Sequence, residues 1–344
     1  MIKINIKIIF LWFGLLVLLT SGSCSNEVDP NKLPTFDPIT VDENTIFLSN
    51  IKDAPKVSKI YAIDTKNSIK LYTYDFKGRG ISLIYDSSFD MKPYLQFFSG
   101  EVLKIETKTG KLHQIDIKYS VNYLSITNNK LWAIPEGRGF ENTSKDYFTY
   151  DAKNDKSEYI TLQEGMYNGS SILIKNNTYL SIFYDDKDIL KESTTKIFNF
   201  TTNKFLSEKL FDSNKNYESY LFSGNYIGAT YYDYKNEKYL TDILIINSFE
   251  PLDYRFLFTL KDGFGMRDVF EKDNFIYFIE STGYNAIITK MDENNNYSIV
   301  RYIEFKDSLN QCFYCKNNYI WCVSENNDGV YKINMDDLTY EVIK

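Results

Sequence analysis

The chain contains a single histidine, His113, within Lys111-Leu-His-Gln-Ile115, a stretch that reads as a strand. Any Ser-His-Asp or Cys-His arrangement would have to use that one imidazole, and a zinc site built on several histidines cannot form. Cys312 and Cys315 make a Cys-x-x-Cys, with Cys322 following. Side chains three apart on a strand point to opposite faces, so that spacing is poor for a disulfide or a metal. The three cysteines read as small buried hydrophobes, with a Cys315 to Cys322 bridge across a hairpin as the lesser alternative. Acid clusters occur at Asp185-Asp186 with Asp188 and at Asp292-Glu293, but neither follows the spaced pattern of a calcium loop. A carboxylate-dependent carbohydrate enzyme, a hydrolase or lyase, would need two acids at a defined separation in space, which spacing along the chain does not give. No catalytic residue, metal or cofactor is assigned on these grounds.

Binding chemistry has more support. Irregular Gly-rich segments carry Arg79, Arg138 with Phe140, Tyr167, and Phe264 with Arg267. Guanidinium groups donate to anions or sugar hydroxyls, and aromatic rings offer stacking surfaces.

The elements that would position these residues form an internal repeat. Five polar turns stand between apolar, aromatic-rich runs: Asn128-Asn129, Asn176-Asn177, Gly224-Asn225, Asp273-Asn274 and Asn317-Asn318. Counted on the second residue of each, they are 48, 48, 49 and 44 residues apart. A period in the forties marks a β-propeller, and Asn or Gly at a tight turn marks a hairpin. Outer strands are expected to end near Phe76, Ile117, Leu162, Phe211, Leu260, Phe305 and Lys344, which makes seven four-stranded blades, with six as the alternative. The second blade is the irregular one, because Ser99-Gly100 falls out of phase and Ile81 to Tyr85 fits either neighbour. In a propeller, the connections between blades and those between the second and third strands of each blade emerge at one end. All the Gly-rich segments named above fall in those connections, so a binding site for a protein or glycan partner is expected there.

The 344 residues are 43% hydrophobic and rich in Tyr (29) and Phe (25), a composition suited to packed sheets. The net charge is −7, and loss of residues 1–23, which carry Lys3 and Lys7, leaves 37 basic against 46 acidic residues. Such a balance argues against nucleic acid as a partner.

Met1 to Lys7 carry two lysines and no acid, and Ile8 to Leu19 are apolar, as in a signal peptide. The run is shorter than the roughly 20 apolar residues a spanning helix needs. Ser21, Gly22 and Ser23 then precede Cys24. This arrangement resembles the lipobox of bacterial lipoproteins, in a relaxed form similar to those of the Bacteroidota, with Ser21 where an aliphatic residue is usual. The resemblance implies a cleaved signal peptide over 1–23, lipid on Cys24, and attachment to a membrane of the cell envelope, the outer one before the inner. Residues 24–38, with Pro30, Pro34 and Pro38, read as a tether, and 39–344 resemble the propellers of bacterial envelope lipoproteins. Neither the Trp-Asp nor the kelch signature is present, so this second resemblance carries architecture alone. A monomer is expected. Asp307-Ser308-Leu309 resembles the short O-glycosylation motif of the Bacteroidota.

Overall fold

The computed structural model describes residues 37–343 except 52–57, 77–79, 98–100, 119–120, 128, 136–145, 162–172, 175–178, 185–193, 200–203, 206–214, 216, 250–251, 262, 310–312 and 327–328. All of these residues belong to one compact unit, 34–344. Seven antiparallel sheets follow one another along the chain, each built from strands consecutive in sequence. The first comprises β1 (Thr45–Asn50), β2 (Ser58–Asp64) and β3 (Ile69–Phe76). The second comprises β4 (Gly80–Ile84), then, after a one-turn helix α1 (Ser87–Asp90), β5 (Tyr94–Phe97), β6 (Val102–Glu106) and β7 (Lys111–Ile115). The third is β8 (Val121–Thr127), β9 (Lys130–Pro135), β10 (Asp146–Asp151) and β11 (Lys156–Thr161). The fourth is β12 (Leu173–Ile174), β13 (Tyr179–Tyr184), β14 (Thr194–Asn199) and β15 (Lys204–Phe205). The fifth holds β16 (Tyr217–Ser223), β17 (Tyr226–Asp233), β18 (Lys238–Phe249) and β19 (Leu252–Thr259). The sixth holds β20 (Gly265–Lys272), β21 (Phe275–Ser281), β22 (Ala286–Asp292) and β23 (Ser298–Phe305), and the seventh β24 (Tyr314–Lys316), β25 (Tyr319–Val323), β26 (Val330–Asn334) and β27 (Tyr340–Ile343).

Asn129, Gly224-Asn225, Asp273-Asn274 and Asn317-Asn318 fall between the first two strands of sheets three, five, six and seven, as the repeat predicts; Asn128 and Asn176-Asn177 lie outside the described residues. Asn129, Gly224, Asp273, Asn317 and Asn318 all have φ between 53° and 66°, the left-handed region where Gly and Asn are tolerated. The second sheet departs from the pattern for a visible reason. Its first two strands are joined through α1, and Ser99-Gly100 lies outside the described residues. Ile81 to Ile84 belong to β4 and so to the second sheet.

One expectation is corrected. Among the described residues the first sheet has three strands, not four: the chain from Asp37 to Asn44 forms no strand, and the Ile39 N–H instead donates to the Thr107 carbonyl of the second sheet at 2.9 Å. The outer-strand end expected near Phe211 lies outside the described residues, as does the one near Leu162.

Packing between successive sheets supplies the core. Each first strand lies beside the next, β1 by β4, β4 by β8, β8 by β12, β12 by β16 and β16 by β20. Apolar clusters fill the gaps, for instance Tyr226, Ile243 and Met266 with Ile276 and Phe278 between the fifth and sixth sheets. The series closes on itself. Ile46, Leu48, Tyr61 and Ile63 of the first sheet bury against Trp321, Val323 and Val330 of the seventh. Polar bonds fasten the same seam: Asn50 Nδ2 donates to the Ser324 carbonyl at 3.1 Å and Asn317 Nδ2 to Thr65 Oγ1 at 3.0 Å. Among the described residues no strand is exchanged between the first and last sheets.

Lys290 is an unusual member of the interior. Its buried ammonium donates to the carbonyls of Met335 (3.0 Å) and Asp336 (2.9 Å) in the next sheet, and lies 4.3 Å from the Phe275 ring centroid. Beside it the Tyr277 hydroxyl donates to the same Met335 carbonyl at 2.7 Å. One turn of the seventh sheet is thus held by two side chains of the sixth.

Candidate functional site

The end of the sheets at which each first strand begins is also the end where the inter-sheet connections emerge. There the backbone does something repeated. In β4 the register passes from Gly80 paired with Phe97 to Ser82 paired with Gln96, leaving Ile81 as an extra residue. The same interruption occurs at Asn122 in β8, Glu218 in β16 and Arg267 in β20. A bulge bends its strand, raises the local twist and re-aims the side chain it carries, and bulges gather beside functional sites for that reason. Four innermost strands therefore present one inserted residue each at the loop-rich end.

Arg267 is the best described of the four and is exposed. Two acidic residues belong to the same register shift, Glu280 opposite Met266 and Asp268 opposite Ile279. Glu280 is only 6% exposed, and burial pushes its pKa up from the usual 4.5 to about 7 against the opposing hydrogen bond from Thr289 and the charge of Lys261. The Asp268 carboxylate is enclosed between the fifth and sixth sheets, accepting from Ser223 Oγ at 2.5 Å and from the Val269 N–H at 2.8 Å. Burial nevertheless raises its pKa from 3.8 to about 6.

At the same end of the fifth sheet, Asp242 is fully buried and accepts from Lys215 Nζ (2.5 Å), Tyr217 OH (2.8 Å) and Thr259 Oγ1 (2.7 Å). The Lys215 ammonium also stands 4.5 Å from the Tyr231 ring centroid. Burial works against its charge, but the bonds to Asp242 and Tyr231 outweigh it and hold its pKa above the ordinary value. All three donors converge on the Asp242 carboxylate, which fixes the start of β16.

The residues expected from sequence are distributed as follows. Cys24, Arg79, Arg138, Phe140 and Tyr167 lie outside the described residues, as do Asp185, Asp186, Asp188 and Cys312. Arg267 is at the loop-rich end. Phe264 is buried in the cluster between the fifth and sixth sheets, with Lys261 Nζ 5.6 Å from its ring centroid. His113 is exposed on β7, an outermost strand remote in topology from the innermost ones. Cys315 and Cys322 are both free: Cys315 pairs with Ile320 and Cys322 with Tyr331, so the bridge between them does not form. Burial raises both thiol pKa values, that of Cys322 far more. Ser308 is corrected as a glycan acceptor, because it is buried with Asp307 and Leu309, and Asp307 accepts from Ser324 Oγ and from Asn326 Nδ2. Asn122 and Glu218 escaped the sequence reading, and the only signal for them was a polar residue breaking the alternation near the start of a strand.

Among the described residues no group of acids, cysteines and histidine could hold a metal ion, and no helix is long and apolar enough to cross a membrane.

No protein-family model matches the chain, and no curated protein matches it in sequence. Solved structures do match it. The hydrazine synthase of Kuenenia stuttgartiensis superposes with a TM-score of 0.55 at 11% identity, covering 90% of this chain and 97% of that one. A putative 6-phosphogluconolactonase from Bacteroides fragilis gives 0.55 at 12% identity over 90% and 96%. The β-propeller domain of Myceliophteria thermophila Cps50 (Swd1) gives 0.51 at 9% identity over 86% and 98%. At such identities the likeness is one of fold. The chain is a β-propeller, built from repeated all-β sheets.

Proposed function

We propose that this chain is a lipid-anchored protein of the bacterial cell envelope whose seven-bladed propeller binds a protein or glycan partner at its loop-rich end. The observation that carries the reading is the bulge repeated on four innermost strands, at Ile81, Asn122, Glu218 and Arg267, all at that one end. Seven consecutive sheets that close on the first support the blade count. A rigid ring gives variable connections a fixed platform, so side chains on those connections reach a partner without each having to be ordered on binding. Arg79, Arg138 and Arg267 serve as donors, with Phe140 and Tyr167 as stacking groups beside them. Phe264 acts from beneath, supporting the connection that carries Arg267. Cys24, diacylated after cleavage of residues 1–23, holds the module at the outer membrane through the tether 24–38.

Replacement of Cys24 by Ser tests the anchor. The variant is expected to lose lipid processing and to appear in the soluble fraction of disrupted cells; unchanged processing with retention in the membrane fraction contradicts the anchor. Affinity capture of the lipidated protein from its own envelope tests the binding role, with a discrete co-purifying protein or glycan as the expected result.

A further inference from the structure

The short turns joining the second and third strands of the fifth and sixth sheets each hold a tyrosine out from the loop-rich end. Tyr234, at the end of β17, is 79% exposed, and Tyr284, between β21 and β22, is 83% exposed. Two fully presented phenol rings are costly to leave in water and gain nothing for the core. Both turns are nevertheless braced against movement. Around Tyr234 the Asp233 carboxylate accepts from the N–H groups of Lys235 (3.0 Å) and Asn236 (3.4 Å) and from Asn236 Nδ2 (2.7 Å). Around Tyr284 the Thr282 hydroxyl accepts from the N–H groups of Tyr284 (3.0 Å) and Asn285 (2.9 Å). Tyr234 is further propped edge-on by Tyr232, whose ring centroid is 5.0 Å away, and Tyr232 meets the 55% exposed Tyr239 at the same distance. The two sheets are adjacent, with β20 lying beside both β16 and β17.

We propose that Tyr234, supported by Tyr232 and Tyr239, and Tyr284 form two stacking platforms on neighbouring blades that bind a neutral polysaccharide. The proposal rests on the reading of the loop-rich end as a binding surface and gives it a ligand class. A pyranose ring has one face of C–H groups that lies flat on an aromatic ring, while its edge hydroxyls reach phenolic and amide groups. A rigid aromatic loses little conformational freedom in such a contact. Size and charge select among occupants. A protein interface needs about 800 Å² on each side, far more than isolated tyrosines on two turns present. The mixed charges beside them, Asp233, Lys235 and Glu237, and the net charge of −7 disfavour a polyanion such as nucleic acid. Two separated platforms suit a chain of sugars, each end of which gains from the other being bound.

The test is electrophoresis of the full chain through native gels containing pullulan, laminarin, xyloglucan, galactomannan or levan, beside a gel with no polysaccharide. The wild type is expected to be retarded by at least one of them, and Y234A/Y284A to migrate as in the plain gel while melting within about 2 °C of wild type, as surface substitutions do. Y234F/Y284F keeps the rings and is expected to keep the retardation. The proposal is overturned if no polysaccharide retards the wild type, if Y234A/Y284A is retarded equally, or if Y234F/Y284F loses the effect as fully as the alanines. Retardation that survives Y234A/Y284A but disappears in R79A/R138A/R267A removes the tyrosine platforms and leaves the wider binding role standing.

Discussion

Glu280 and Asp268 belong to the paired strands at the Arg267 bulge, and burial raises the pKa of both, to about 7 and about 6. A carboxyl whose folded pKa exceeds its unfolded one binds its proton more tightly in the native state. Its stabilisation is complete below the unfolded value, near 4, and is lost as the pH climbs through the folded value. These two groups therefore make the fold less stable at pH 8 than at pH 5, by an amount on the order of 2–3 kcal/mol for Glu280. The E280Q variant removes that ionisation while leaving a group that can bond to Thr289. Thermal melts should show E280Q gaining on wild type between pH 5 and pH 8; a constant difference across that range would mean Glu280 is ionised throughout. Lys290 gives a second expectation at this scale. K290M leaves the Met335 and Asp336 carbonyls short of donors, and should cost about 1–3 kcal/mol of stability by denaturant titration. Neither group could be singled out in the sequence, where Lys290 and Glu280 read as ordinary charges on alternating strands. Their burial is decided by the neighbouring sheet, which no local pattern reveals.

Among the elements, the hairpins were legible because their turns need left-handed dihedrals that few residues accept. Asn129, Gly224, Asp273 and Asn317-Asn318 advertise themselves in a strand-rich sequence. The second sheet was ambiguous because α1 replaces that signal with a longer connection whose residues suit many conformations. Bulges were illegible for a related reason, since an extra residue shifts the alternation by one without requiring any residue type. They recur in a second place, on the outermost strands, at Leu71 in β3, Leu257 in β19 and Val300 in β23. An outermost strand presents unpaired backbone groups, and a bulge there spoils its match to another edge. Close approach of the fifth and sixth sheets rests on Gly228, where a Cβ would meet Met266 Cβ at 3.0 Å. That neighbour is fixed to its own backbone and cannot swing away. Substitution G228A is expected to destabilise the protein by about 1–3 kcal/mol, visible as a lower urea midpoint at unchanged slope. No loss would mean that the two sheets separate freely at this point.

For the whole molecule, a period of 44 to 49 residues was enough to indicate a propeller, because each sheet needs a neighbour on its face and repetition supplies it. Closure could not be read in advance. It depends on Trp321, Val323 and Val330 meeting Ile46, Leu48, Tyr61 and Ile63 across almost the full length of the chain. Truncation W321A should therefore cost about 3–5 kcal/mol and lower the melting temperature of the entire unit in one transition. A separate early transition would show the first and last sheets parting on their own. The proposed binding site is the part of the molecule least legible in the sequence, since the residues assigned to it come from several connections. Arg79, Arg138 and Arg267 come from three different ones. The most direct measurement of the proposed binding role is affinity capture from extracts of the native cell with the wild-type chain and with R79A/R138A/R267A side by side. A co-purifying protein or glycan that is lost with the three arginines, while melting is unchanged, is the predicted result. Equal capture by the two proteins would contradict it.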